Sequence, residues 1–76
     1  MSKEKREVLG QRIQIARLKK GFTQEELGAL LEINGKSVSK WERGVAVPSL
    51  NHLYKICKIL EISLDELLDI QSSPVR

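Results

Sequence analysis

Apolar residues recur along this chain at spacings of three and four, with no strand-like alternation of useful length, and the breaks fall at glycines and short polar residues. Leu9, Ile13 and Ala16 set the first stripe and predict a helix over residues 4–19, ended by Gly21. Thr23 is the expected N-cap of a second helix, with Glu26 three residues on to close a capping box worth about 1 kcal/mol. Leu27, Leu30 and Leu31 are its predicted inward residues, with Phe22 packing at its start. After a break at Glu32, Ile33 and Asn34, Asn34 caps a third helix that runs through about Arg43, with Val38 and Trp41 on its inward face. Gly44 stops it, and residues 45–48 form a loop.

Ser49 opens the most plainly amphipathic segment, in which Leu50, Leu53, Ile56, Cys57 and Leu60 repeat at helical spacings. Ser63 and Glu66 give a second capping box, followed by Leu64, Leu67, Leu68 and Ile70. The pattern predicts an all-α chain of five short helices in one domain over residues 8–70, with residues 71–76 expected as a mobile tail.

At 76 residues the core must be shared among all the helices. The one cysteine, Cys57, has no second cysteine for a disulfide or a zinc site, so packing must supply the stability and a reducing cytoplasm is the expected compartment. No run approaches about 18 apolar residues, which argues against a membrane span. Catalysis lacks a constellation: the lone histidine, His52, and the scattered carboxylates supply no activated nucleophile, no metal set and no cofactor site. No small-molecule effector domain is expected either.

Charge is unevenly spread. Residues 1–20 hold seven Lys or Arg against Glu4 and Glu7, while residues 61–76 hold four acids against Arg76. One end can face a polyanion while the other faces away or meets a protein.

The third helix gives that polyanion a shape. With Val38 and Trp41 inward, Lys36, Ser37, Ser39 and Lys40 are left on its outer arc, and no acid precedes Glu42. Lysine donates to guanine or phosphate oxygens, and serine meets base edges or phosphate. Gly35 leaves the helix start bare for close approach of its amides to phosphate. Gln24, in the first turn of the second helix, is a candidate phosphate contact, with Arg43 and with Asn51 or His52 extending the clamp.

The segment GFTQEELGALLEINGKSVSKWERGVAVPSL, residues 21–50, together with the later ISLDELL, resembles the Cro and phage-repressor type of helix-turn-helix family. The resemblance implies a compact five-helix bundle whose third helix enters the major groove of double-stranded DNA while the second lies across the backbone. It further implies a transcription regulator, most often a repressor, acting as a homodimer on a palindromic operator, here with the fifth helix as the expected contact. On this chain it assigns Gln24, Lys36, Ser37, Ser39 and Lys40 to bases or phosphates, places Arg43 near the backbone, and pairs Arg17 with Glu42.

Two positions depart from the family pattern. Gly28 stands where alanine is usual, at a cost of up to about 1 kcal/mol in helix propensity. Glu32 stands where glycine is usual, and carries about 1 kcal/mol of strain if the turn needs a positive φ there. Trp41 and Cys57 read as core residues, and Tyr54 as half-buried or a dimer contact. The competing function is a protein-interaction or antitoxin-like module on the same fold, whose mark would be an apolar outer face on the third helix; Lys36 and Lys40 stand there instead.

Overall fold

Each of the first four helices begins where a short polar side chain turns back on the backbone three residues ahead. In the computed structural model, which describes residues 1–68, Lys5 N donates to Ser2 Oγ at 3.2 Å and opens α1 (Lys3–Lys20). Glu26 N donates to Thr23 Oγ1 at 3.0 Å while Thr23 N donates to Glu26 Oε1 at 2.8 Å, so a complete capping box opens α2 (Gln24–Leu30). Asn34 caps α3 (Gly35–Glu42) through Ser37 N, and Ser49 caps α4 (Leu50–Leu60) through His52 N. The Ser63–Glu66 box opens α5 (Leu64–Leu68). The described residues contain no strand. Asp69, Ile70 and the expected tail at 71–76 lie outside the described residues.

The first helix is the spine: α1 packs against α3, α4 and α5, while α2 packs on α3. Ile13, Leu27, Leu31, Val38, Ile56 and Leu67 are fully enclosed, joined in one cluster by Leu9, Ala16, Trp41, Leu53 and Leu60. Two expected core residues are not there. Leu30 is 52% exposed, because Leu27, Gly28 and Leu31 define the inward face of α2 and Leu30 falls on its flank. Leu50 is 75% exposed, since the first turn of α4 overhangs the core that Leu53 and Ile56 enter. Tyr54, expected half-buried or at a dimer contact, is not half-buried but exposed. The third helix ends at Glu42, with Arg43 as its C-cap.

Close backbone approaches set the helix positions. A Cβ on Gly10 would lie 2.3 Å from the Trp41 carbonyl oxygen and 2.7 Å from that of Glu42, so α1 and α3 cross at contact distance only because residue 10 has no side chain. A Cβ on Gly28 would stand 2.9 Å from the Asn34 carbonyl carbon. The missing methyl at Gly28 is therefore a packing requirement of this turn, beyond the propensity cost expected from sequence. Arg6 Nε donates to the Gly44 carbonyl oxygen at 3.1 Å, which ties the first turns of α1, ahead of the expected boundary at residue 8, to the end of α3.

Glu32 adopts φ 63° and Glu61 φ 57°, both left-handed positions that disfavour a side chain. Glu32→Gly is expected to stabilise the domain by about 1 kcal/mol, raising the thermal midpoint by roughly 4–8 °C. A lowered midpoint in a melting experiment would show that the Glu32 side chain contributes more than its backbone costs.

Candidate nucleic-acid interface

The outward side of α3 follows from its inward one. Val38 and Trp41 are buried, and a helix turning 100° per residue then projects Lys36 and Lys40 into solvent, where both are exposed. Ser37 and Ser39 are half-buried on the shoulders between. Arg43 Nε donates to Ser39 Oγ at 3.2 Å, so this hydroxyl accepts from its neighbour and keeps its own proton to donate. Arg43 and Asn51 are exposed, Asn51 in the first turn of α4. Trp41, whose ring centroid lies 5.4 Å from that of His52, brings the start of α4 beside the end of α3, and Ser49 Oγ holds His52 Nδ1 at 3.2 Å.

Gly35 also lies against α2. A Cβ there would lie 3.1 Å from Glu25 N and 3.2 Å from Glu25 Cγ, so its bare side faces the first turn of α2 and its smallness lets the two helix starts meet.

Behind this face lies a buried polar network. Glu42 accepts from Arg17 Nε at 2.6 Å on one carboxylate oxygen and from Arg17 Nη2 at 3.0 Å on the other, a bidentate pair in which both residues are under 10% exposed. Arg17 Nη1 donates to the Phe22 carbonyl oxygen at 2.7 Å. The hydrogen bond to Glu42 raises the Arg17 guanidinium above its ordinary value, so the arginine stays cationic. The one acid of α3 is thus turned inward and neutralised, and the only charges left on the outer arc of the helix are the Lys36 and Lys40 cations.

Sequence reasoning missed the third donor in this network: Gln24 Nε2 reaches Glu42 Oε1 at 3.0 Å, fastening the first turn of α2 to the last turn of α3. The two lie 18 positions apart, and no local pattern announces the bond. Lys20 Nζ likewise pairs with Glu61 at 2.9 Å across the α1–α4 boundary.

A second surface lies away from this helix. Leu50, Asn51, Tyr54, Cys57 and Leu64 line a shallow, largely apolar groove of about 630 Å³ between α4 and α5. Lys58 Nζ sits 5.2 Å from the Tyr54 ring centroid at its side. Burial pushes the Cys57 thiol up, away from the reactive thiolate. Among the described residues no group of three or more His, Cys, Asp or Glu is placed to hold a metal ion, and no helix is long and apolar enough to cross a membrane.

Comparison with known proteins agrees with this geometry. Residues 13–67 match the helix-turn-helix family model. The chain is 36% identical over 58 residues to the transcriptional activator BcrR of Enterococcus faecalis, covering 76% of this chain and 28% of that protein. It is 37% identical over 60 residues to the transcriptional regulator ImmR of Bacillus subtilis, covering 79% of this chain and 47% of the relative. Both relatives are therefore more than twice as long as the matched region. Among solved structures, the restriction-modification controller protein C.AhdI from Aeromonas hydrophila superposes with a TM-score of 0.78 at 32% identity, covering 86% of this chain and 94% of that one.

Proposed function

The chain belongs to the helix-turn-helix family, and from that premise we propose that it is a transcription regulator that binds double-stranded DNA by seating α3 in the major groove. The observation that carries this reading is the outer arc of α3, where Lys36 and Lys40 stand exposed, Ser37 and Ser39 flank them, and the single acid is buried against Arg17. Lysine and serine on that arc meet base edges or phosphate, with Lys40 on phosphate, while Arg43, Asn51 and Gln24 hold phosphate on either side. An apolar α3 surface would have suited a protein partner; charged residues in that place suit a polyanion.

The reading extends to a homodimer acting as a repressor on a two-fold operator. The apolar groove of Leu50, Tyr54, Cys57 and Leu64, lined from α4 and the start of α5, supports self-association through that end of the bundle, which would present two copies of α3 to one duplex. Repression then requires nothing beyond occupancy of the site.

Selection from a random duplex library tests both parts together. Recovery of a palindrome, with half-sites about one helical turn apart, is the expected result. Failure to enrich any sequence would sink sequence-specific recognition, and a lone asymmetric site would sink the dimer. Lys40→Ala should weaken binding while leaving the melting temperature unchanged, and should make the slope of log K against log salt shallower by about 0.9 for the lost phosphate contact. An unaltered affinity across a salt series would remove Lys40 from the interface.

A further inference from the structure

Gln24 is assigned to the DNA backbone, yet its side chain is half-buried and bonded to the interior. Its amide reconciles the two. The bond joins Nε2 to Glu42 Oε1, the oxygen that also accepts from Arg17 Nη2. An ionised carboxylate only accepts, so the amide must present its NH₂ end to Glu42; the flipped amide would set two oxygens against each other. That NH₂ group carries two protons fixed in the amide plane. One is engaged by Glu42, and no second acceptor is recorded for it among the described residues.

We infer that Glu42 is a positioning residue for DNA binding: its carboxylate orients the Gln24 amide and holds the second Nε2 proton ready for a phosphate oxygen. This rests on the DNA-binding reading of α3. A free glutamine loses rotamer freedom when it docks on a ligand, whereas here that ordering is complete on folding. The buried pair therefore has a role beyond stability. Arg17 holds Glu42, Glu42 holds Gln24, and the spacing between the first turn of α2 and the last turn of α3 is set by the same carboxylate that aims the donor.

A double-mutant cycle on duplex DNA tests this, using the selected operator or, if none is recovered, a random-sequence duplex. Gln24→Met keeps the length of the side chain and removes the amide; Glu42→Gln keeps the shape and removes the charge that dictates the orientation. Each is expected to weaken binding by about tenfold, and the double variant to lose no more than about twofold beyond either single one. Losses that multiply would show that the two side chains act separately and would overturn the inference. Thermal melts run in parallel give the folded fraction, since a purely structural Glu42 would alter stability and still multiply with Gln24→Met.

If Glu42→Gln does not fold, the native protein decides. In its ¹⁵N-labelled spectrum, adding duplex should shift one of the two Gln24 Nε2 proton signals. No shift in either, while α3 backbone amides respond, overturns the positioning role. Absence of any duplex binding by the native chain overturns the DNA-binding reading itself, and the inference with it.

Discussion

Glu42→Ala is expected to lower the stability of the domain by about 3 to 5 kcal/mol, because it leaves the Arg17 guanidinium enclosed without its counter-charge. The magnitude follows from burial: an exposed ion pair of the same geometry would be worth about 0–1 kcal/mol. A chain of 76 residues commands on the order of 4–11 kcal/mol in total, so the variant should sit near its unfolding midpoint or beyond it. Urea denaturation with an unchanged m-value measures the loss directly. Arg17→Met is expected to cost less than Glu42→Ala, since the carboxylate left behind keeps the Gln24 donor. The pair Arg17→Met with Glu42→Leu should recover much of the deficit, because two apolar side chains leave no charge stranded. A loss below about 1 kcal/mol for Glu42→Ala would mean that water reaches the pair in solution.

Gly10→Ala carries the second large effect, and its sign is the diagnostic. In an ordinary helix interior this change stabilises by about 1 kcal/mol. Here the added methyl would meet the Trp41 carbonyl oxygen at 2.3 Å, a collision of backbone with side chain that no rotamer relieves. The helices α1 and α3 must separate, and a net loss of about 3 kcal/mol is expected. Gln11→Ala, one residue on and exposed, should stay within about 0.5 kcal/mol of the parent. Trp41, the single tryptophan, reports the change optically, since separation of the two helices wets a ring that is now buried and shifts its emission to the red. A Gly10→Ala protein of parental stability and emission would show that α1 and α3 pack less closely than described.

Both effects act on the contact that aims α3. Displacing α1 moves Arg17, Arg17 moves Glu42, and Glu42 lies one residue from the exposed Arg43. On the proposed DNA-binding role, loss of binding in these variants would follow loss of fold. Lys40→Ala is the converse case, because Lys40 is exposed and its removal subtracts a charge from a helix that stays in place.

Local chemistry made most of the element boundaries legible. The Thr23–Glu26 and Ser63–Glu66 boxes, the Asn34 and Ser49 caps and the Gly21 stop are each closed within four residues, so the chain specifies them before any helix meets another. The outer arc of α3 was legible for the same reason: once Val38 and Trp41 are inward, helical geometry leaves Lys36 and Lys40 no other side. The Arg17–Glu42 pairing, its members 25 positions apart, has no local signature, and only resemblance to a family suggested it.

Tertiary packing decided the rest. Leu30 and Leu50 fit their apolar stripes yet face solvent, because periodicity gives the angle of a side chain around its own helix and says nothing of where the neighbouring helices stop. Gly10, Gly28 and Gly35 look alike in sequence; what distinguishes them is the backbone each one meets, supplied by residues 41–42, 33–34 and 25. Gln24 reads as a surface residue until Glu42 arrives from another helix to claim half of its amide. The amino-acid order alone determined five helices, their caps and a basic outer face on the third, since those rest on interactions spanning a turn or less. How closely the helices cross, which leucines they cover and how the Gln24 amide is oriented depend on groups brought together from far along the chain, and the assembled fold settled them.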